Sequence, residues 1–323
     1  PIINQIFIAI QTMKNTAHQD NPSQDNPPQD NARDYRQRFF INHSPVRGDI
    51  VHLNQSLQKI ISHQPYPKAL TLLLGEMLAA ASLLIGTLKV AGRLSIQLQA
   101  SDQTAPLHWA MAECDHLGAV RALAKFAGDW DNLTTSNDAF NALGQGVLFI
   151  NIEQINDNTA QNTSYQGIVE KVSDSLGECL AHYQKQSAQI DTIIQLACDD
   201  KNATGILIQK LPEQQNDDSD SDLWQRVGVL ASTLKDDELL TLPASEILYR
   251  LFHEENIVLP ESVPLYFACT CSYKKSESAL ISLGKQEVLA ILDDVDTIKM
   301  DCGFCGAVYE FDDKAVDKIF AES

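Results

Sequence analysis

Four of the chain's seven cysteines stand in two tight pairs near its carboxyl end, Cys269-x-Cys271 in "CTC" and Cys302-x-x-Cys305 in "CGFCG". Two short-spaced pairs of soft thiolates, brought together by a folded insert, are the pattern of a tetrahedral zinc site. The nearest histidine, His253, lies outside both pairs, so the expected ligand set is the four cysteines alone. Such a closed site leaves no open position for water, which counts against metal hydrolysis. Each pair is also close enough to become a disulfide, C-x-x-C comfortably and C-x-C as a small strained ring, and zinc must then leave. Cys114, Cys179 and Cys198 sit in or beside apolar patterns and read as inert core thiols.

The last sixty residues, from Pro264, are too few to build a strong core without a staple. Gly303 and Gly306 are expected to let the backbone turn closely around the metal. In the insert, "SESALISL" and "KQEVLAIL" read as two short amphipathic helices parted at Gly284, and "AVYEF" closes as a strand. Structural zinc contributes on the order of 10–16 kcal/mol to such a domain, so its loss should unfold residues 264–323.

Upstream, residues 213–263 form an acidic helical linker. Residues 213–262 hold twelve acidic against three basic side chains, nine net negative charges, yet also carry helical apolar patterns that break near Pro243. Leu223, Trp224, Val227, Leu230 and Leu234 need an apolar surface to cover them, while the carboxylates oppose compaction. The segment is expected to be stable only while docked; an ordinary set of helices packed on the main domain fits the same pattern. Oxidation of the cysteines would release linker and switch domain together, exposing an apolar client-binding surface of Leu223, Trp224, Val227, Leu230, Leu248, Leu251 and Phe252.

Residues 35–212 read as an α+β domain. "LSIQLQA", "LHWAMAE", "AVRALAKF", "GVLFINIE", "YQGIVEKV", "DTIIQLAC" and "TGILIQKL" are strand-like, and "SDSLGECLAHYQKQSAQ" switches to helical spacing behind Ser173 as its cap. "KALTLLLGEMLAAASLLIGTLKV" reads as a buried helix, because Glu76 leaves only Met77–Leu88 uncharged, too short to cross a bilayer. Residues 1–34, rich in Asn, Gln, Asp and Pro after an apolar start, are expected to be a disordered leader, with Met13 a candidate start. The fold class is therefore α+β: a large N-terminal α+β domain, a helical linker and a small C-terminal zinc-binding domain.

A formal charge of −19 repels phosphates and anionic headgroups, so neither nucleic acid nor membrane is an expected partner. An odd cysteine count without a signal peptide points to a reducing compartment, the cytoplasm. No P-loop, G-x-G-x-x-G, H-E-x-x-H or G-x-S-x-G is present, and "CGFC" lacks the βαβ context of a disulfide oxidoreductase, so the chain is not read as an enzyme.

C-x-C followed by C-x-x-C-G at the carboxyl end resembles the redox-regulated chaperones called heat-shock protein thirty-three. "RFFINHSPVRGDIVHL" resembles that family's opening, "YQGIVEKVSDSLGECLAHYQKQSAQ" its mid-domain segment and "ELLTLPASEILYRLFHEE" its linker helices, over roughly residues 35–311. The resemblance implies an ATP-independent holdase of the bacterial cytoplasm for unfolded client proteins, inactive and zinc-bound when reduced, active and prone to form a homodimer when oxidised. It implies zinc on Cys269, Cys271, Cys302 and Cys305, and disulfides pairing Cys269 with Cys271 and Cys302 with Cys305. Arg47 and Gly48 match the opening motif in a structural role. Where the family has an Arg-rich start after the first pair, this chain has Lys274 and Lys275, which keep positive charge beside the thiolates. A zinc-stabilised scaffold or binding protein without redox control is the alternative reading.

Overall fold

The computed structural model describes residues 34–89, 91–155, 163–212 and 222–322. The leader assigned to residues 1–34 lies outside them except for Asp34, which is already part of the fold. Its buried carboxylate accepts the backbone N–H groups of Asn54, Gln55 and Ser56 at 2.6, 3.0 and 2.7 Å, satisfying the orphan donors of a short helix, α1 (Gln55–Ile61).

The chain divides into two compact units between Ala268 and Cys269. The larger holds two antiparallel-dominated sheets. Sheet one is ordered β10-β1-β2-β9-β8 (Ile257–Val258, Tyr35–Ile41, Val46–Leu53, Ala203–Lys210, Asp191–Cys198), with β11 (Val263–Pro264) also on β1. Sheet two is ordered β12-β5-β4-β3-β6-β7 (Tyr266–Phe267, Ala119–Phe126, Leu107–Asp115, Gly92–Gln99, Val147–Gln154, Thr163–Val169), with β12 parallel to β5.

Helix α2 (Lys68–Thr87) packs on β2, β8 and β9 of sheet one and on β3, β4 and β5 of sheet two. Covered on most sides, it is apolar nearly all round, as a helix without a solvent face must be. Treating Glu76 as an interruption understated it. The helix runs unbroken for 20 residues and is, among the described residues, the one long and apolar enough to span a bilayer, yet 83% of that apolar window is buried inside the fold. Its C-terminal carbonyls are met from β1: Arg36 donates to Ser82 O at 3.0 Å and Arg38 to Gly86 O, while buried Asp49 on β2 pairs with Arg38 at 3.0 Å. Burial draws the Asp49 carboxyl upward, and the arginines draw it back.

Alternation along sheet one decides which face each residue joins. Val51 and Leu207 face α2; Ile50, Ile206 and Ile208 face the other way, into a second core built with α5 (Leu223–Ala231), α6 (Asp236–Thr241) and α7 (Ala244–Phe252). Burial on both faces explains why "TGILIQKL" is nearly continuous in apolar residues instead of alternating. Gly48 is required here, since a Cβ would stand 2.3 Å from the Phe39 ring and 2.6 Å from Leu207 O. Helices α3 (Ser136–Asn141) and α4 (Leu176–Tyr183) complete the unit. The cap of α4 is Ser175 rather than Ser173: the Ser175 hydroxyl accepts the Glu178 N–H at 3.4 Å, and Ser173 instead accepts the Ser175 N–H at 3.1 Å, one turn earlier.

The smaller unit contains α8 (Tyr273–Leu283), α9 (Lys285–Asp294), the hairpin β13–β14 (Ile298–Asp301, Val308–Phe311) and α10 (Asp313–Glu322). Gly284, at φ 91°, separates α8 from α9. Leu280, Val288, Phe311 and Val316 form its fully buried centre.

Candidate metal and thiol site

Cys269 and Cys271 lie just ahead of α8, whose N-cap Ser272 accepts the Lys275 N–H at 3.3 Å. Lys275 Nζ reaches back to Thr270 O at 2.6 Å and so ties the C-x-C loop to the helix. Cys302 and Cys305 lie in the hairpin turn. There Cys302 N–H donates to Ala307 O and Gly306 N–H to Cys302 O, each at 2.8 Å. Gly306 takes φ 69°, a conformation that suits glycine, whereas Gly303 stays outside the left-handed region; only one of the two glycines is demanded by the turn.

The structure brings all four predicted cysteines together, with every Sγ within 4.8 Å of the others. Sγ–Sγ contacts of 3.5 Å join Cys269 to Cys302 and of 3.3 Å join Cys271 to Cys305. A tetrahedral metal–thiolate site with ~2.3 Å bonds has edges of roughly 3.8 Å, so the four half-buried sulfurs fit a metal ion. Their electrostatics argue the same way. Four thiolates this close repel one another unless a cation offsets them, and without one they share protons: Cys302 donates to Cys269, which lowers the Cys269 thiol, while burial and its thiol neighbours raise Cys271 to about 11. The other three cysteines sit apart, Cys114 and Cys179 buried and Cys198 partly so. Burial pushes Cys114 up to about 12 and Cys198 higher, which keeps both protonated and unreactive.

The seven apolar residues assigned to a client surface lie in the larger unit. Leu223, Val227, Leu248, Leu251 and Phe252 are buried against sheet one, and Trp224 and Leu230 are partly buried beside them. Phe252 lies 6.2 Å from the Phe39 ring. The docked segment is fastened by Gln195 Nε2 to Ala231 O at 3.0 Å, by Ala244 N–H to the Tyr35 hydroxyl at 3.3 Å, and by residues 257–264 pairing along β1. The large apolar side chains these helices leave exposed are Val229 and Tyr249, which sequence reading had not singled out. Helix α10 was missed as well, although Asp312 ahead of Ala315, Val316, Ile319 and Phe320 has the cap and the spacing of a helix; Asp312 Oδ1 accepts the Ala315 N–H at 2.8 Å.

The Hsp33 protein family matches residues 34–312. The chain belongs to the Hsp33 family. It is 39% identical over 288 residues to the 33 kDa chaperonin of Methylobacillus flagellatus, covering 89% of this chain and 94% of that one. It is 37% identical over 287 residues to the 33 kDa chaperonin of Chromobacterium violaceum, with the same coverage. The crystal structure of the Hsp33 homologue from Thermotoga maritima shares the fold, at a TM-score of 0.74 and 19% identity over 89% of this chain and 98% of that one. The mixed α+β architecture expected from sequence is thus the Hsp33 architecture.

Proposed function

We propose that this Hsp33 member is a thiol-gated, ATP-independent holdase of the cytoplasm. The observation that carries the reading is the convergence of four thiols within 4.8 Å in a small unit that begins at Cys269, shortly after the acidic segment 213–263, whose helices from Leu223 onward are docked on sheet one. In the reduced state Cys269, Cys271, Cys302 and Cys305 hold one zinc ion, which supplies a charge-neutralising cross-link between α8 and the hairpin turn.

Hydrogen peroxide is the oxidant. In each pair one sulfur attacks a peroxide oxygen, the O–O bond breaks and hydroxide leaves; the second sulfur then displaces hydroxide from the sulfenic acid as the S–S bond forms. Two electrons pass to the peroxide, and two thiols become one disulfide with two waters released. Although the shortest sulfur contacts run across the pairs, Cys269–Cys271 and Cys302–Cys305 are the expected disulfides, because only those partners stay adjacent once the small unit opens.

With the staple gone, residues 264–323 unfold and the linker undocks, uncovering Leu223, Trp224, Val227, Leu230, Leu248, Leu251 and Phe252 together with the sheet face beneath them. An apolar surface on a strongly charged chain retains unfolded client proteins without precipitating. The active form pairs as a homodimer; the charge of −19 disfavours nucleic acid and membrane surfaces, and no catalytic turnover is required.

The test is light scattering from a thermally unfolding client, mixed with the chain either reduced and zinc-loaded or treated with peroxide at an unfolding-permissive temperature. Suppression by the oxidised sample alone, reversed by reductant, supports the gate. Equal suppression, or none, in both samples leaves a zinc-stabilised scaffold.

A further inference from the structure

We infer that Tyr309 is a positioning residue that restrains the oxidation of Cys271. The inference rests on the redox reading above and adds to it a side chain outside the four thiols. Tyr309 lies on β14, four residues beyond Cys305 and opposite Met300 of β13. Its phenol O–H donates to Cys271 Sγ at 3.2 Å.

The donor is held in place from behind. Its ring makes an edge contact with Tyr273 at 6.4 Å, Tyr273 lies 4.6 Å from the Phe311 ring, and Phe311 is completely buried. Alternation along β14 places Tyr309 and Phe311 on one side, so the core that anchors Phe311 also aims the Tyr309 hydroxyl. Other sulfurs of the cluster receive backbone donors, Cys269 from the Cys271 N–H and Cys302 from the Phe304 and Cys305 N–H groups. Those donors exist whatever side chain is present. The Tyr309 contact depends on one hydroxyl and can be tuned by substitution.

Attack on hydrogen peroxide uses a sulfur lone pair: the S–O bond forms as O–O breaks and hydroxide departs. On the redox reading zinc would already hold Cys271 as thiolate, so a hydrogen bond to that sulfur cannot raise its thiolate fraction and only engages its lone pair, lowering its nucleophilicity. Cys271 is therefore slowed relative to the same sulfur without the phenol, and the Cys269–Cys271 disulfide waits on it.

The full-length, zinc-loaded chain carries the test. Tyr309→Phe keeps the ring and removes the donor. Under peroxide, loss of alkylatable Cys271 thiol, followed by mass spectrometry, should run about five- to ten-fold faster than in the unsubstituted chain, the change that loss of one ordinary hydrogen bond to the attacking atom brings. Zinc release to a chromogenic chelator should quicken, while the starting zinc content and circular dichroism stay unchanged. Placing 3-fluorotyrosine, a stronger donor, at 309 should slow Cys271 instead. A merely structural role would not move the two substitutions in opposite directions, and the fluorinated chain keeps the question open to refutation should the phenylalanine variant fail to hold zinc.

Equal rates in the phenylalanine variant with zinc retained, or no slowing by fluorotyrosine, overturn the inference and leave the redox reading intact. Thiols inert to peroxide in the unsubstituted chain overturn both.

Discussion

Helix α2 of the larger unit buries sixteen of its twenty residues, whereas α8 and α9 of the smaller unit bury three and one. The larger unit closes two sheets around one apolar rod and stands on burial alone. The smaller has a thin core, and four sulfurs sit where further apolar residues would otherwise have to be. One region therefore rests on a large apolar core, and the other carries four clustered thiols beside a small one. Between them in sequence, residues 223–264 lend the larger unit a second core made of elements that end five residues before Cys269.

On the proposed zinc reading, the sharpest way to break this contrast is to remove the metal. Cys305→Ser, or a zinc chelator, should abolish hydrogen-exchange protection over residues 269–322, since structural zinc contributes on the order of 10 kcal/mol to such a unit, while β2, β9 and α2 keep theirs. Protection retained in the small unit would mean that its eight-residue apolar core suffices.

Next in size is a cavity in the other region. Leu83 is completely buried in α2, and Leu83→Ala should cost the larger unit about 4 kcal/mol in denaturant unfolding, with zinc content unaltered. A loss of zinc on this substitution would show that the two regions are not independent.

Smaller again is a pH-dependent effect at Glu76. Burial raises its carboxyl from 4.5 to about 7, and the Ser136 hydroxyl donates to it at 2.5 Å, a contact that partly offsets the rise. The folded chain thus holds this proton to higher pH than the unfolded chain does. Its contribution to stability is full below pH 4.5 and is lost as the pH rises to about 7. Glu76→Gln, which keeps an oxygen for Ser136, should stabilise the larger unit by about 3 kcal/mol at pH 8 and by almost nothing at pH 4, read from paired urea melts.

Much of the fold was legible because the relevant signals are local. Strands β3 to β9 show apolar runs of strand length between turn residues, and α8 and α9 declare themselves on either side of Gly284. The two-residue strands β10, β11 and β12 could not be read, because so short a run has no period and exists only through its partners on β1 and β5. Helix α10 was readable and overlooked. The cysteine site was legible as a set, since metal–thiolate chemistry imposes short spacings; Tyr309 was not, because nothing in "AVYEF" tells which way its hydroxyl points.

By itself the sequence determined the short spacing of the paired cysteines, the acidity, the apolar helices beside it and the membership of the family, all properties of residue type and spacing. Tertiary structure alone decided that strands from both sheets cover α2, that β1 and β2 supply the arginine and aspartate cluster at its end, and that a tyrosine caps one sulfur of four. These depend on which side chains meet across long stretches of chain, and contact at a distance leaves no periodic trace along a single strand or helix.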